Sequence, residues 1–114
     1  MSNIIRQGDV IFRKLEAPPA SNKELSEDAS GILAEGESSG HHHRLYGRGA
    51  KLFRFKSSPG RMLVRVAEGG AEVRVDGGGS AAHPRHTPVS LSPGVWEAWT
   101  QRSWTSGAVR RVAD

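Results

Sequence analysis

The feature that most limits what this chain can become is its punctuation. Glycine and proline recur at short intervals, and between them apolar residues alternate with polar ones. A period of two marks a strand with one buried face, and no stretch sustains the 3.6-residue period of a packed helix. Segments 10–13, 32–35, 41–46, 51–56, 61–66, 71–75, 89–91 and 95–100 read as short strands. Val10 and Phe12 share a face, as do Phe53 and Phe55, and Met62, Val64 and Val66; these are the expected core. Turn signals stand at Gln7-Gly8-Asp9, Gly47-Arg48-Gly49, Ser57-Ser58-Pro59-Gly60, Glu68-Gly69-Gly70 and Ser92-Pro93-Gly94, the second expected to close a hairpin. The predicted fold is all-β: a small single-domain barrel or sandwich of short antiparallel strands over residues 1–114.

One segment departs from this pattern. Ala17-Pro18-Pro19-Ala20 ends a strand, because proline cannot donate to a ladder, and Ser21 to Glu24 has capping-box spacing. Residues 17–30 are therefore expected as a polar, mobile loop or a short surface helix. The tail at 109–112 reads as an edge strand.

A chain of 114 residues forms one domain with a modest core. Cysteine is absent, which excludes disulfides and thiolate metal ligands and fits a reducing compartment. Arg6 and Asp9 follow the amino terminus too soon for a secretory signal, and no apolar run approaches the roughly 20 residues that span a bilayer. The expectation is a soluble, cytoplasmic protein with no membrane partner.

The net charge of +4 is unevenly spread. Arg44, Arg48, Lys51, Arg54, Lys56, Arg61 and Arg65 fall between residues 41 and 66, where no acidic residue stands. Such a segment invites an anionic ligand, RNA among the candidates. Cations alternating along strands also make an ordinary solvated face.

That basic segment opens with three histidines in a row, His41, His42 and His43; the other two, His83 and His86, lie about forty residues on in a second polar turn. In a strand His41 and His43 share one face, their Cβ atoms roughly 6–7 Å apart, and His42 points away as a bystander. Pro84 stiffens the turn between His83 and His86. If folding joins the two places, His41, His43, His83 and His86 form a ligand set near one barrel mouth. Without sulfur it would suit a divalent transition metal, whether Zn, Fe, Mn, Ni or Cu. If it does not, the run is a solvated hairpin.

Two catalytic readings use these groups. In the first, bound metal assists hydrolysis of a phosphodiester or other anionic substrate, with Glu37 close before the run as ligand, base or orienting group. In the second, a metal-free endoribonuclease pairs His41 or His43 with His86 as general base and acid, Tyr46 donates a proton or stacks on a base, and arginine or lysine steadies the phosphate. Arg44, Arg48, Lys51 and Arg85 are the anion-binding candidates. A third reading is a non-catalytic adaptor that binds nucleic acid or protein through the basic strands. Glu97 reads as an exposed strand carboxylate, and Asp9 as a cap of its turn. Of Trp96 and Trp99, which have opposite strand parity, at most one faces the core unless the strand is bulged; an exposed tryptophan favours a ligand or a homo-oligomer contact.

His41-x-His43, followed by Thr87-Pro88-Val89-x-Leu91-x-Pro93-Gly94-x-Trp96, resembles the strand-turn-strand grammar of cupins. The resemblance implies a small β-barrel holding a metal between a His-x-His strand, a carboxylate and a later histidine. Where cupins carry a glutamate after His-x-His, this chain has residues 44–48, Arg-Leu-Tyr-Gly-Arg. The layout is also similar to small bacterial proteins of unassigned activity with a Gly-His-x-His and a later His-x-x-His-x-Pro pattern.

Overall fold

A computed structural model describes residues 3–18, 24–35, 42–76 and 87–101. They form two antiparallel sheets. The first has six strands: β1 (Ile4–Gln7), β2 (Val10–Lys14), β3 (Leu25–Glu27), β6 (Lys51–Phe55), β7 (Ser58–Val66) and β10 (Gly94–Thr100), in the order β1-β2-β10-β7-β6-β3. The second has β4 (Ile32–Glu35), β5 (His42–Tyr46), β8 (Ala71–Asp76) and β9 (Val89–Leu91), in the order β4-β5-β8-β9. The all-β expectation holds, in its sandwich form: among the described residues no sheet closes into a barrel.

The core lies between the sheets. Val10 and Phe12 of β2, Met62, Val64 and Val66 of β7, and Trp96 and Ala98 of β10 face Leu33, Val73 and Leu91 of the smaller sheet. The β10 register places Ala98 between Phe12 and Met62, so the small side chain lies between two large ones. Trp96 is buried and donates its indole N–H to the Ser92 carbonyl at 2.9 Å, whereas Trp99 is half-buried on the other face. The opposite parity of the two tryptophans is as expected.

Four expectations are corrected. Phe53 and Phe55 do not point inward; Leu52, only 1 % exposed, fills the core from β6. The cause lies at Arg54, between the two phenylalanines. It shares the Leu52 face near the sheet edge, where Asp28 accepts from its Nε at 2.8 Å and the Ile32 carbonyl from its Nη2 at 2.6 Å. An inward cation with both partners satisfied staples the larger sheet to β4, and it leaves the aromatics outside. Asp28 is held below its ordinary carboxyl range by hydrogen bonds from the Ser30 hydroxyl and from Arg54.

Residues 17–30 contain a strand rather than a helix among the described positions, since β3 pairs with β6. Glu24 caps no helix; it accepts from the Ser57 hydroxyl at 2.7 Å, tying the edge to the β6–β7 turn. That turn sits at Lys56-Ser57, and β7 already begins at Ser58. Finally, Gly47-Arg48-Gly49 does not close a hairpin. It carries the chain from β5 in one sheet to β6 in the other. Gly49 (φ +77°) permits that corner, because a Cβ there would lie 2.9 Å from Ala67 Cβ. The expected strand at 109–112 lies outside the described residues.

Candidate functional site

Gln7 ends β1 with its side chain turned between the sheets, 2 % exposed. A buried amide must find partners or lose stability, and this one finds three. Its Nε2 donates to the Val73 carbonyl at 2.8 Å and to the Thr87 carbonyl at 3.0 Å. With both amide protons so directed, Oε1 is the acceptor, and it lies 2.9 Å from His43 Nδ1. His43 must therefore donate from Nδ1, and in its neutral form carries its lone pair on Nε2. The ring is 4 % exposed. Gly8 backs it: a Cβ there would lie 3.3 Å from His43 Cε1, at a φ of +58°. Gly8→Ala is expected to cost about 1–2 kcal/mol, from the left-handed backbone alone, with a further shift of the imidazole. Urea unfolding measures the first and the His43 NMR resonances the second.

The opposite face of β5 carries His42, Arg44 and Tyr46. Across β8 they face Asp76, Arg74 and Glu72 in register. The Tyr46 hydroxyl donates to Asp76 Oδ2, and the Arg74 guanidinium lies 4.5 Å from the centre of the Tyr46 ring. The hydrogen bond to Asp76, then burial and the carboxylate charge, raise the phenol above its ordinary range, so at neutral pH Tyr46 keeps its proton. Arg44 Nε is 4.0 Å from Asp76 Oδ2, and His42 Nδ1 is 3.3 Å from Glu35 Oε2. Neither nitrogen has a hydrogen-bond partner among the described residues.

The predicted site residues thus fall into separate places. His43 lies between the sheets, while Tyr46 and Arg44 are on the outer face of the smaller one. Arg48 is exposed in the β5–β6 corner, and Lys51 is exposed on the outer face of the larger sheet. His41, His83, His86, Glu37 and Arg85 lie outside the described residues, and among the described ones no three histidine, aspartate or glutamate side chains gather as a metal site. What the structure does join is the borders of the two histidine segments. His41 is bonded to His42, His86 to Thr87, and the Thr87 carbonyl and the His43 ring meet on one Gln7 amide. Asp76, where the other end of segment 77–86 begins, pairs with His42.

Glu97 and Gln7 are the polar residues that the sequence did not single out for these roles. Glu97 is 8 % exposed, not an open strand carboxylate, and accepts from Arg13 Nη2 at 2.6 Å and Arg61 Nη2 at 2.5 Å. Its flanking arginines are far away in the sequence, so no local spacing marks it. Gln7 stands next to a turn glycine, and only that position hinted at a role.

Residues 6–101 match the model of one family, described as a domain of unknown function (DUF8820). The match does not identify a cupin. No curated protein and no solved structure matches the chain.

Proposed function

The chain belongs to the DUF8820 family, and we propose that it is a histidine-centred protein that binds a divalent transition metal and uses it to hydrolyse a phosphodiester or other anionic substrate. One observation supports this reading above others: the Gln7 amide holds His43 and Thr87 together, at the borders of both histidine-bearing segments. The donors proposed are His43 through Nε2, with His41, His83 and His86. A ring N–H directed at an amide or carbonyl oxygen is how metal-bound imidazoles are commonly oriented, and Gln7 offers His43 that partner. A bound ion would lower the pKa of a coordinated water towards neutrality. The cupin likeness enters this proposal through the type of ligand alone.

The test is elemental analysis of untagged protein prepared without chelator, followed by calorimetric titration with Zn²⁺ and Mn²⁺. One bound ion per chain is expected, lost in the double variant His83→Asn/His86→Asn while the thermal transition persists. Hydrolysis of an activated phosphodiester should stop with chelator and return with metal. Absence of metal both as purified and on titration would sink the metal centre. Cleavage of RNA that chelator leaves untouched would instead favour metal-free acid–base catalysis by the same imidazoles.

A further inference from the structure

The outer face of the six-stranded sheet, turned away from the core in which the Gln7 and His43 side chains lie, carries cations laid over aromatic rings. Strand register puts Arg13, Glu97, Leu63 and Phe53 in one row across β2, β10, β7 and β6, and puts Trp99 beside Arg61. The guanidinium of Arg61 lies 4.8 Å from the centre of the Phe55 ring, that of Arg65 5.2 Å from Phe53, and that of Arg13 6.0 Å from Trp99. All three rings are half-buried, and the three arginines are exposed. Glu97 neutralises one charge of the two it receives from Arg13 and Arg61, and the exposed Glu27, opposite Phe53 on β3, is a second carboxylate on a face where Arg13, Lys51, Arg61 and Arg65 keep the balance positive. In the next row Lys51 lies directly opposite Arg65, both exposed, and neither has an ion-pair partner among the described residues. Like charges set opposite each other on a sheet repel. A ligand anion bridging them would remove that cost.

We propose that this face is a binding site for single-stranded nucleic acid, with bases on the rings of Phe53, Phe55 and Trp99 and phosphates on Lys51, Arg61 and Arg65. The chemistry is that of single-strand platforms, in which cations follow the backbone and rings receive bases. The guanidinium groups over the rings belong to exposed side chains, which can move aside to a phosphate as a base takes the ring, or themselves receive a base. The spacing selects the single strand. Phe53 and Phe55 are two residues apart on one face of β6, roughly 6.7 Å along the strand. That is about twice the 3.4 Å between stacked bases on one strand of a duplex, so neighbouring bases reach both rings only when unstacked. A face six strands wide is also too broad for a major groove of about 12 Å, which admits a two-stranded ribbon. A second copy of the chain would bring two positive faces together. Segment 102–114, with Arg102, Arg110 and Arg111 against Asp114, carries a net positive charge that does not complement the face. The inference does not depend on the proposed histidine centre: His43 points between the sheets, and none of the residues on this face does.

Fluorescence anisotropy with labelled single strands of about 12 nucleotides tests it. RNA and DNA single strands are compared with a duplex of the same sequence and with heparin, a polyanion without bases. The full chain is expected to bind both single strands at least tenfold more tightly than the duplex, and to weaken as salt rises. Phe53→Leu/Phe55→Leu keeps an apolar cover and removes the rings. It should weaken single-strand binding about tenfold or more and leave heparin binding unchanged. Lys51→Gln/Arg65→Gln, at two exposed positions, should weaken both and reduce the salt dependence. Circular dichroism and the thermal midpoint establish that each variant is folded. The proposal is overturned by no binding at low salt, by equal affinity for duplex, by ring variants that bind single strands as well as the parent, or by a dimer in sedimentation whose formation Arg65→Gln abolishes.

Discussion

Gln7→Leu is expected to lower stability by about 3 kcal/mol and the thermal midpoint by roughly 10–20 °C. The substitution nearly preserves volume, so the loss does not come from a cavity. It comes from three polar groups that lose their Gln7 partner: the Val73 carbonyl and the His43 Nδ1–H in buried contacts, and the part-buried Thr87 carbonyl. Each such group can cost about 1–3 kcal/mol, with partial relaxation keeping the total below the sum. For a domain with about 5–15 kcal/mol to lose, that is a large fraction. Gln7→Glu separates acceptor from donor. Its carboxylate can still accept from His43 but faces the two carbonyls with no proton to give, so its loss at neutral pH should be at least as large and should shrink when acid protonates it. Denaturant midpoints of both variants across pH measure this. A Gln7→Leu protein within 0.5 kcal/mol of the parent would mean that the amide does not hold the junction, and the main support for the histidine centre would go with it.

The second large effect is at Glu97. Burial alone would push its carboxyl up, but hydrogen bonds from Arg61 and Arg13, together with their charges, outweigh burial and hold it below the ordinary range. The sign follows from linkage. A folded-state pKa below the unfolded one contributes stability that is fully present above the unfolded value, about 4.3 for glutamate, and is lost as pH falls through the folded value. Glu97→Gln should therefore cost about 2 kcal/mol at pH 7 and make the acid limb of stability shallower, the two proteins converging at low pH. Urea midpoints between about pH 7 and pH 2 test it. Curves that stay parallel down to the lowest pH would show that the carboxylate contributes no charge-dependent stability. Because Arg13 and Arg61 are half-exposed, water screens part of the pairing, and this effect should be the smaller of the two.

How much of this was legible depends on the distance over which each residue is satisfied. Met62, Val64 and Val66 share one face against Arg61 and Arg65 on the other, and their inward direction could be read directly even though Leu63 on the outer face is apolar and buried. The same rule misplaced Phe53 and Phe55, because on β6 hydrophobicity argues for one face and Arg54 for the other. Arg54 won the inner face only through Asp28 and the Ile32 carbonyl, more than twenty residues away. The capping box at Ser21–Glu24 is sound local chemistry, but Glu24 is taken by Ser57, which is distant in sequence. For the candidate site, the histidines were conspicuous by their number and spacing. The residue that joins their neighbourhoods, a glutamine beside a turn glycine, was not.

Local pattern by itself determined the class of this protein: period-two alternation and glycine–proline punctuation admit short strands and no long helix, and the absence of cysteine leaves imidazole and carboxylate as the strong metal donors. Tertiary structure alone decided which strands share a sheet, which face of β6 is wet, and that the His43 imidazole is buried. These outcomes depend on hydrogen bonds and charge pairs between residues far apart in the chain. The energy of a polar group is set by partners that no neighbouring residue announces.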